Sequence, residues 1–559
     1  MPMDEPRSPF PALLLSGGPA RRTPPVIGLL ALGLVLAALI ALFQIASGSR
    51  QSELGSHPDE AAHFVTGLMV RDYLASGFHE SPLRYADEYY RHYPKIGLGV
   101  WPPFFYLVQA LWTLIFPAGA GSVLTLMGVL DWTLAMVLAW HLWREYGWPE
   151  AVAGPLLLIA LPLVQQYSNM VMAEVLSALL MLCATLSFGR FLDSCGRRGA
   201  VGFGVFAGLA IMTKGTGLAL VFVPLFAVAF TGRFSLFTNP RLWMAAAIVL
   251  VIAGPWTWRF RNQGRGGWEE PNPSLHFTGM AMGFYARQLL VASGWLLALL
   301  AIAGVLALFL NPARSGTLAS SLALSLGVWI FQCITPVGLE ARHLTPAMPA
   351  LVLLALAGLH WLVNRRRNGH PIAAPAACAG LLALFFGLPV FVPAVSRPVG
   401  YGSLGNEIAL SPFRIPKKQW GGLEPIARAA ISGNRRHFLV AADARGEGMF
   451  IADMAMLDPH RPSLVVNRAS KMLAASTWSG GGYQSFYRSP AEVEAALAKI
   501  DVQAVVLDSS LASIPPHQQL LQSALSAPAA PYRLAMSATM VRDGREFPAA
   551  ATLFLGGAH

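Results

Sequence analysis

An acidic pair, Asp59 and Glu60, lies in the stretch GSHPDEAAHFVTGLMVRDYL that begins at Gly55. It follows an apolar run over 26–46 long enough to cross a bilayer. Both carboxylates are therefore expected where lipid meets water. A carboxylate there can accept a proton from an attacking hydroxyl. It can equally start a helix, since Asp is a favoured N-cap and Glu suits a first turn. The residues that follow support a helix: Ala61, Phe64, Val65, Leu68 and Met69 form an apolar stripe with Tyr73 below it. Both readings stay open on pattern alone.

Four further groups carry charge in apolar surroundings. RYADEYYRHYPKIGLGVWPPFFY (84–106) packs Asp87, Glu88, Arg91, His92, Tyr93 and Lys95 ahead of a Pro-Pro pair. Aromatics mixed with cations mark a membrane interface. Within that group Lys95, with Tyr93 close by, is the candidate cation for a phosphate headgroup. Glu174 opens an otherwise apolar span, where a carboxylate is costly unless it faces a cavity or a partner. Lys214 sits in the turn MTKGTG, either as a turn lysine or as a second phosphate contact. Glu340, Arg342 and His343 share the turn GLEARHLTP, where Arg342 either pairs with Glu340 or grips a phosphate bidentately. His57, His63 and His92 lack ligand spacing, and no HExxH, P-loop or GxSxG occurs in a supporting context. The sequence thus requires no cofactor, and nothing in it supports a divalent metal.

The elements that must position these groups are mostly membrane helices. Of 559 residues 55% are hydrophobic and only 12% charged, about half the charge of a soluble domain. Mean hydropathy is +0.51. Besides the first run, apolar runs lie near 122–143, 151–166, 171–190, 200–213, 215–231, 242–258, 288–310, 317–335, 344–363 and 373–395, giving an expected eleven spans. A further run, 103–120, is bounded by Pro103 and broken by Pro117. If it does not cross, the short cytoplasmic loops hold ten Lys or Arg against six outside, and the reverse if it does. The positive-inside rule thus favours an interfacial or re-entrant segment. It also accounts for the net charge of +11, so nucleic-acid binding is not needed to explain it. A large first loop, 47–121, and the turns holding Glu174, Lys214 and Arg342 then gather on the extracytoplasmic side. The expected division is a cytoplasmic tail 1–25, a transmembrane domain 26–395 and an extracytoplasmic domain 396–559.

That last part changes character. RHFLVAAD (436–443), PSLVVNR (462–468) and DVQAVVLDSS (501–510) read as strands. GEGMFIADMAMLD and SPAEVEAALAKI read as helices between them, the second capped by Ser489 with Pro490 at its first position. The fold expected is an α-helical polytopic membrane protein with a C-terminal soluble α/β domain. None of the four cysteines lies beyond Cys378, so that domain has no disulfide.

Taken in order, PDE (58–60), WPPFFY (101–106), Glu174, TKG (213–215) and RHLTPAMP (342–349) resemble the C-type membrane glycosyltransferases, in particular the protein O-mannosyltransferase and aminoarabinose-transferase group. The resemblance covers roughly 26–365. Relatives often carry Lys directly before Pro-Pro; here Trp101 stands there, and the nearest lysine is Lys95. The resemblance implies a sugar donor linked to a polyprenyl phosphate, an acceptor that is a protein, lipid or glycan, and inversion at the sugar carbon. It implies Asp59 as general base and Glu60 and Glu174 as orienting carboxylates. Lys95, Lys214 and Arg342, with His343 and Tyr93, fall on the phosphate side. The expected location is a bacterial inner membrane. The competing classes are a lipid-linked sugar flippase or transporter, and a non-catalytic assembly partner. Against a transporter stand the grouping of the charges at one face and the lack of paired broken helices.

Overall fold

The computed structural model describes residues 26–97, 99–270, 272–366, 373–391, 404–405, 407–475, 482–528 and 530–556. The expected tail 1–25, the end of the last apolar run (392–395) and the expected boundary at 396 lie outside them.

The chain begins with α1 (Val26–Ala46), followed by α2 (Glu60–Ala75), α3 (Pro82–His92) and α4 (Phe104–Ile115) in the large first loop. With 12 residues, α4 is about 18 Å long, well short of the ~30 Å hydrocarbon core. After it come α5 (Ala120–Glu145), α6 (Trp148–Ala160) and α7 (Pro162–Ser168), the last two bent by 66° at Leu161. Pro162 causes the break, because it has no N–H to continue the ladder.

The remaining membrane-domain helices are α8 (Glu174–Ser194), α9 (Arg197–Ile211), α10 (Phe222–Thr231), α11 (Pro240–Arg259), α12 (Leu275–Leu310), α13 (Gly316–Ile334), α14 (Met348–Arg366) and α15 (Ala373–Phe391). Among the described residues, eight helices are long and apolar enough to cross a membrane, or nine if the α6–α7 pair is one span. The expected eleven is not reached by that criterion, because α9 and the stretch Gly215–Thr231 are too short. Both nevertheless run between the same two ends of the bundle. Lys214, just after α9, meets Glu174 at the start of α8 (2.6 Å). Arg233, just after α10, meets Asp193 at the end of α8 (3.2 Å). That second end also holds Arg241, donating to Cys195 O (2.7 Å), and Arg314, donating to Phe230 O (2.6 Å).

Two contacts fix the geometry of α12. Gly304 and Gly358 lie where α12 and α14 touch, and a Cβ on either would fall 2.0 Å from a carbonyl oxygen of the other helix. Further up, α12 is kinked at Gly294, whose φ of 67° suits glycine. The N–H groups freed there are not left bare: Trp295 and Leu296 donate to Ala409 and Leu410 (3.0 and 3.1 Å).

The C-terminal domain is built on a six-stranded mixed sheet. Its strands are β1 (Trp420–Gly421), β2 (His437–Ala441), β3 (Val465–Arg468), β6 (Ala504–Asp508), β7 (Tyr532–Arg542) and β8 (Arg545–Gly556), while β4 (Ala474–Ala475) and β5 (Gln484–Ser485) form a separate ribbon. The order is β1-β7-β8-β6-β2-β3, with β2 parallel to both β3 and β6 and the other pairs antiparallel. The three strands expected from sequence are thus the parallel part. The β7–β8 hairpin is an addition to that expectation. It turns on Asp543 and Gly544, both at positive φ (48° and 76°), which is the requirement of a two-residue primed turn. Of the helices α16 (Glu424–Ile431), α17 (Ala444–Leu457), α18 (Ala469–Met472), α19 (Pro490–Lys499) and α20 (Pro516–Leu525), α19 has the expected cap, with Ser489 Oγ accepting from Glu492 N (3.3 Å).

One sheet face, with Phe438, Val440 and Val506, shares a continuous core with α17 and the membrane domain. The other face, with Leu439, Val505 and Leu507, packs separately under α19 and α20. Sheet strands covered on both sides read as unbroken apolar runs, and β6 is buried throughout.

Candidate active site

The loop entering α2 places Asp59 at the N-cap position, but its side chain does not cap. This corrects the capping expectation. Its backbone is already helical (φ −87°, ψ −15°), and its N–H donates to His57 Nδ1 (3.0 Å). The carboxylate is therefore free to face the turn from the other end of the membrane domain. Arg342 Nη1 donates to Asp59 Oδ2 (2.9 Å), while Oδ1 is buried without a partner. Burial opposes ionisation of Asp59, but the Arg342 guanidinium, as charge and as hydrogen-bond donor, together with His57 and His63 outweighs it and holds the carboxyl well below its usual range.

Arg342 stands among three carboxylates. Besides Asp59, its Nε lies 2.7 Å from Glu340 and 3.8 Å from Glu174. The two sequence alternatives for Arg342 therefore resolve in part: it pairs with Glu340, and with the expected catalytic carboxylates as well. Glu174, the first residue of α8, takes Lys214 on Oε1 (2.6 Å) and has Oε2 buried without a partner. Lys214, Arg342 and Glu340 form the accessible side of the cluster, at 17%, 15% and 16% exposure against 1% for Glu174. Burial lowers the Lys214 ammonium's pKa despite Glu174.

Glu60 belongs to the scaffold of this site. Its two oxygens accept the N–H groups of Ser56 (2.9 Å) and Val171 (3.0 Å), tying the Asp59 loop to the segment that leads into α8. His343 is buried behind the turn, its Nδ1 3.0 Å from Tyr285 OH. Lys95 and Tyr93 are not brought into the cluster as phosphate ligands. Tyr93 OH donates to Asp458 of the C-terminal domain (2.5 Å), and Lys95 Nζ donates to the carbonyls of Pro58 (3.1 Å) and Ala444 (3.2 Å).

Three groups near Asp59 had no site role in the sequence reading, which weighed His57 and His63 only as metal ligands and Tyr106 only as the end of WPPFFY. His57 supports the loop and approaches Glu340 (3.6 Å). His63, one helical turn beyond Asp59, stacks on Trp101 (centroids 4.4 Å apart) and lies 2.8 Å from Tyr106 OH. Burial pushes its imidazole down to about 4, so it is neutral at ordinary pH. The i,i+4 spacing from Asp59 was a readable signal for His63; Tyr106 had none. Among the described residues, no three His, Cys, Asp or Glu side chains form a group that could hold a metal ion.

A family model described as dolichyl-phosphate-mannose-protein mannosyltransferase matches residues 100–258. No curated protein matches the sequence. Two solved structures of ArnT from Cupriavidus metallidurans superpose over almost the whole molecule. The one bound to undecaprenyl phosphate is 14% identical, with 94% of this chain and 99% of that chain covered and a TM-score of 0.55. The apo structure is 17% identical, with the same coverage and a TM-score of 0.52. The chain has the C-type glycosyltransferase fold.

Within this C-type fold the charged cluster has an apolar neighbour. A cavity of about 520 Å³ opens between α2, α3, α4, α9 and α11, lined by Met69, Tyr73, Phe104, Met212 and Trp256 among others, with Arg259 as its single charged side chain. Two turns of α2 separate Met69 in its wall from His63 in the site. Phe104 N donates to Met212 O (2.9 Å), so α4 and the end of α9 are one wall, and the Lys214 turn leads directly from it.

Proposed function

We propose that the chain is an inverting glycosyltransferase that moves a sugar from a polyprenyl-phosphate donor to an acceptor hydroxyl. The observation that carries this reading is Asp59 itself. One oxygen is fixed by Arg342 and the other is buried without a hydrogen-bond partner.

In the proposed step the acceptor oxygen attacks the anomeric carbon from the face opposite the phosphate. The C–O bond to the phosphate breaks, and polyprenyl phosphate leaves with the bonding pair. The acceptor proton passes to Asp59 Oδ1. Lys214 and Arg342 stabilise the departing phosphate dianion, and Glu174 keeps Lys214 in place. The apolar cavity receives part of the prenyl chain, with Arg259 at its charged edge. Two comparisons support the donor class: the ArnT structure contains undecaprenyl phosphate, and the matching family model is described by its dolichyl-phosphate-mannose donor. The proposed setting is the extracytoplasmic leaflet of a bacterial inner membrane, with the C-terminal domain on the same side. In support, Arg233, Arg241 and Arg314 lie at the end of the bundle opposite the site.

The test is transfer of label from a panel of radiolabelled polyprenyl-phosphate sugars to cell-envelope membranes by purified protein. Label in the acceptor fraction supports the reading. Movement of intact donor across proteoliposomes without transfer points instead to a flippase.

A further inference from the structure

Besides its ties to the membrane domain, the loop carrying Asp59 is held by the C-terminal domain at several points. Glu53 N donates to Trp420 O (2.7 Å), and the Glu53 carboxylate accepts the N–H groups of Gly422, Leu423 and Glu424 (2.9, 2.7 and 3.1 Å). A side chain of the first loop thus caps α16 of the other domain. Ser56 Oγ donates to Lys418 O (2.7 Å). Gly55 packs so closely that a Cβ would lie 2.2 Å from Met449 Sδ of α17. The last hold is Lys95. The residue is 6% exposed, and its ammonium joins the carbonyl of Pro58, the residue before Asp59, to that of Ala444 in the first turn of α17. Gly448, one turn further along α17, leaves room for α2 and for Lys95: a Cβ there would meet Ala61 Cβ at 3.1 Å, Lys95 Cε at 3.3 Å and Nζ at 3.5 Å.

Lys214 pairs with a carboxylate of the cluster and keeps part of its side chain exposed. Lys95 is instead enclosed between two domains and spends its hydrogen bonds on backbone oxygens. Burial, with Arg468 nearby, brings it down to about 8, as expected of a cation without a carboxylate in contact.

We infer that Lys95 is a positioning residue through which the C-terminal domain fixes the Asp59 loop, and that the active site is complete only with that domain docked. This rests on the reading of Asp59 as the base. The full-length protein is compared as Lys95→Met, Gly448→Val and the double variant, the second crowding both the ammonium and Ala61 of α2 from the C-terminal side. Three quantities are measured: kcat for sugar transfer, the Kd for undecaprenyl phosphate, and amide exchange over 55–61. The expected result is a kcat at least tenfold lower in each single variant and no lower in the double, with Kd unchanged within twofold. Exchange of the loop amides rises at least tenfold. Undecaprenyl phosphate binding weakened tenfold or more by Lys95→Met, or loop exchange unchanged in both single variants, overturns the inference. If the unaltered protein transfers no sugar, the transferase reading fails, and loop exchange still decides the role of Lys95.

Discussion

Asp59→Asn tests the core of the mechanism, because the substitution keeps the shape and changes one charge. The cluster holds three carboxylates, Asp59, Glu174 and Glu340, against two cations, Arg342 and Lys214. With its buried histidines neutral it carries one negative charge in excess, and Asn at 59 balances it. Arg342 keeps Glu340 at 2.7 Å, so no buried cation is stranded and the fold should survive. Losing a general base costs about 10²–10⁴-fold in kcat. If the phosphate binds at a separation of roughly 8 Å, removing the negative charge is worth about 2 kcal/mol at an effective dielectric near 20, which is more than tenfold in affinity. The same variant should therefore turn over at least a hundredfold more slowly and bind undecaprenyl phosphate about tenfold more tightly. Label transfer to envelope membranes gives the first quantity, and a thermal-shift titration in detergent the second. A folded variant that retains transfer within threefold of the unaltered protein removes Asp59 as base. Weaker lipid-phosphate binding would show that the charge count around Arg342 is wrong.

Other expectations follow from the same geometry. Glu174→Gln frees Lys214 from its 2.6 Å partner, and kcat should fall about tenfold or more, with Lys214→Met lowering both kcat and undecaprenyl phosphate affinity. With Asp59 held well below the usual carboxylate range and His63 near 4, neither gains a proton between pH 7 and 5, so kcat/KM should show no acid limb there. The lowered Lys214 ammonium should instead give a basic limb at a pH below the 10.5 of a free lysine; a profile falling from pH 6.5 to 5 would contradict both. Lys418 is buried and brought down to about 8 by that burial, so the folded state bears a penalty of about 3 kcal/mol below pH 8. The penalty fades as pH rises towards 10.5, so Lys418→Met should raise Tm at pH 7 and give little gain at pH 10. Gly304→Ala or Gly358→Ala puts a Cβ 2.0 Å from a carbonyl across the α12–α14 contact and should cost about 2 kcal/mol or more in detergent unfolding.

The sequence announces polar residues in apolar surroundings, because a membrane makes an idle charge expensive. That is why Asp59, Glu174, Lys214 and Arg342 were legible one by one, each at the edge of an apolar run. Which of them neutralise one another was not, since Asp59 and Arg342 are 283 positions apart. The parallel strands were readable from β-branched runs, and Asp543-Gly544 was an available turn signal for the β7–β8 hairpin. The kink at Gly294 was not readable, because its partners are backbone atoms of Ala409 and Leu410. The same blindness explains Lys95. Its partners are two carbonyl oxygens, one of them 349 positions away, and a carbonyl leaves no mark on the identity of its residue. Lys95 and Lys214 look alike in sequence, each a lone lysine in a stretch that joins apolar runs. Their partners separate them: Lys214 meets a carboxylate and keeps an accessible side, while Lys95 meets backbone on both sides and is closed off. A cation near a membrane therefore reads as a ligand group only once its partners are known, and in this molecule the C-terminal domain supplies one of them.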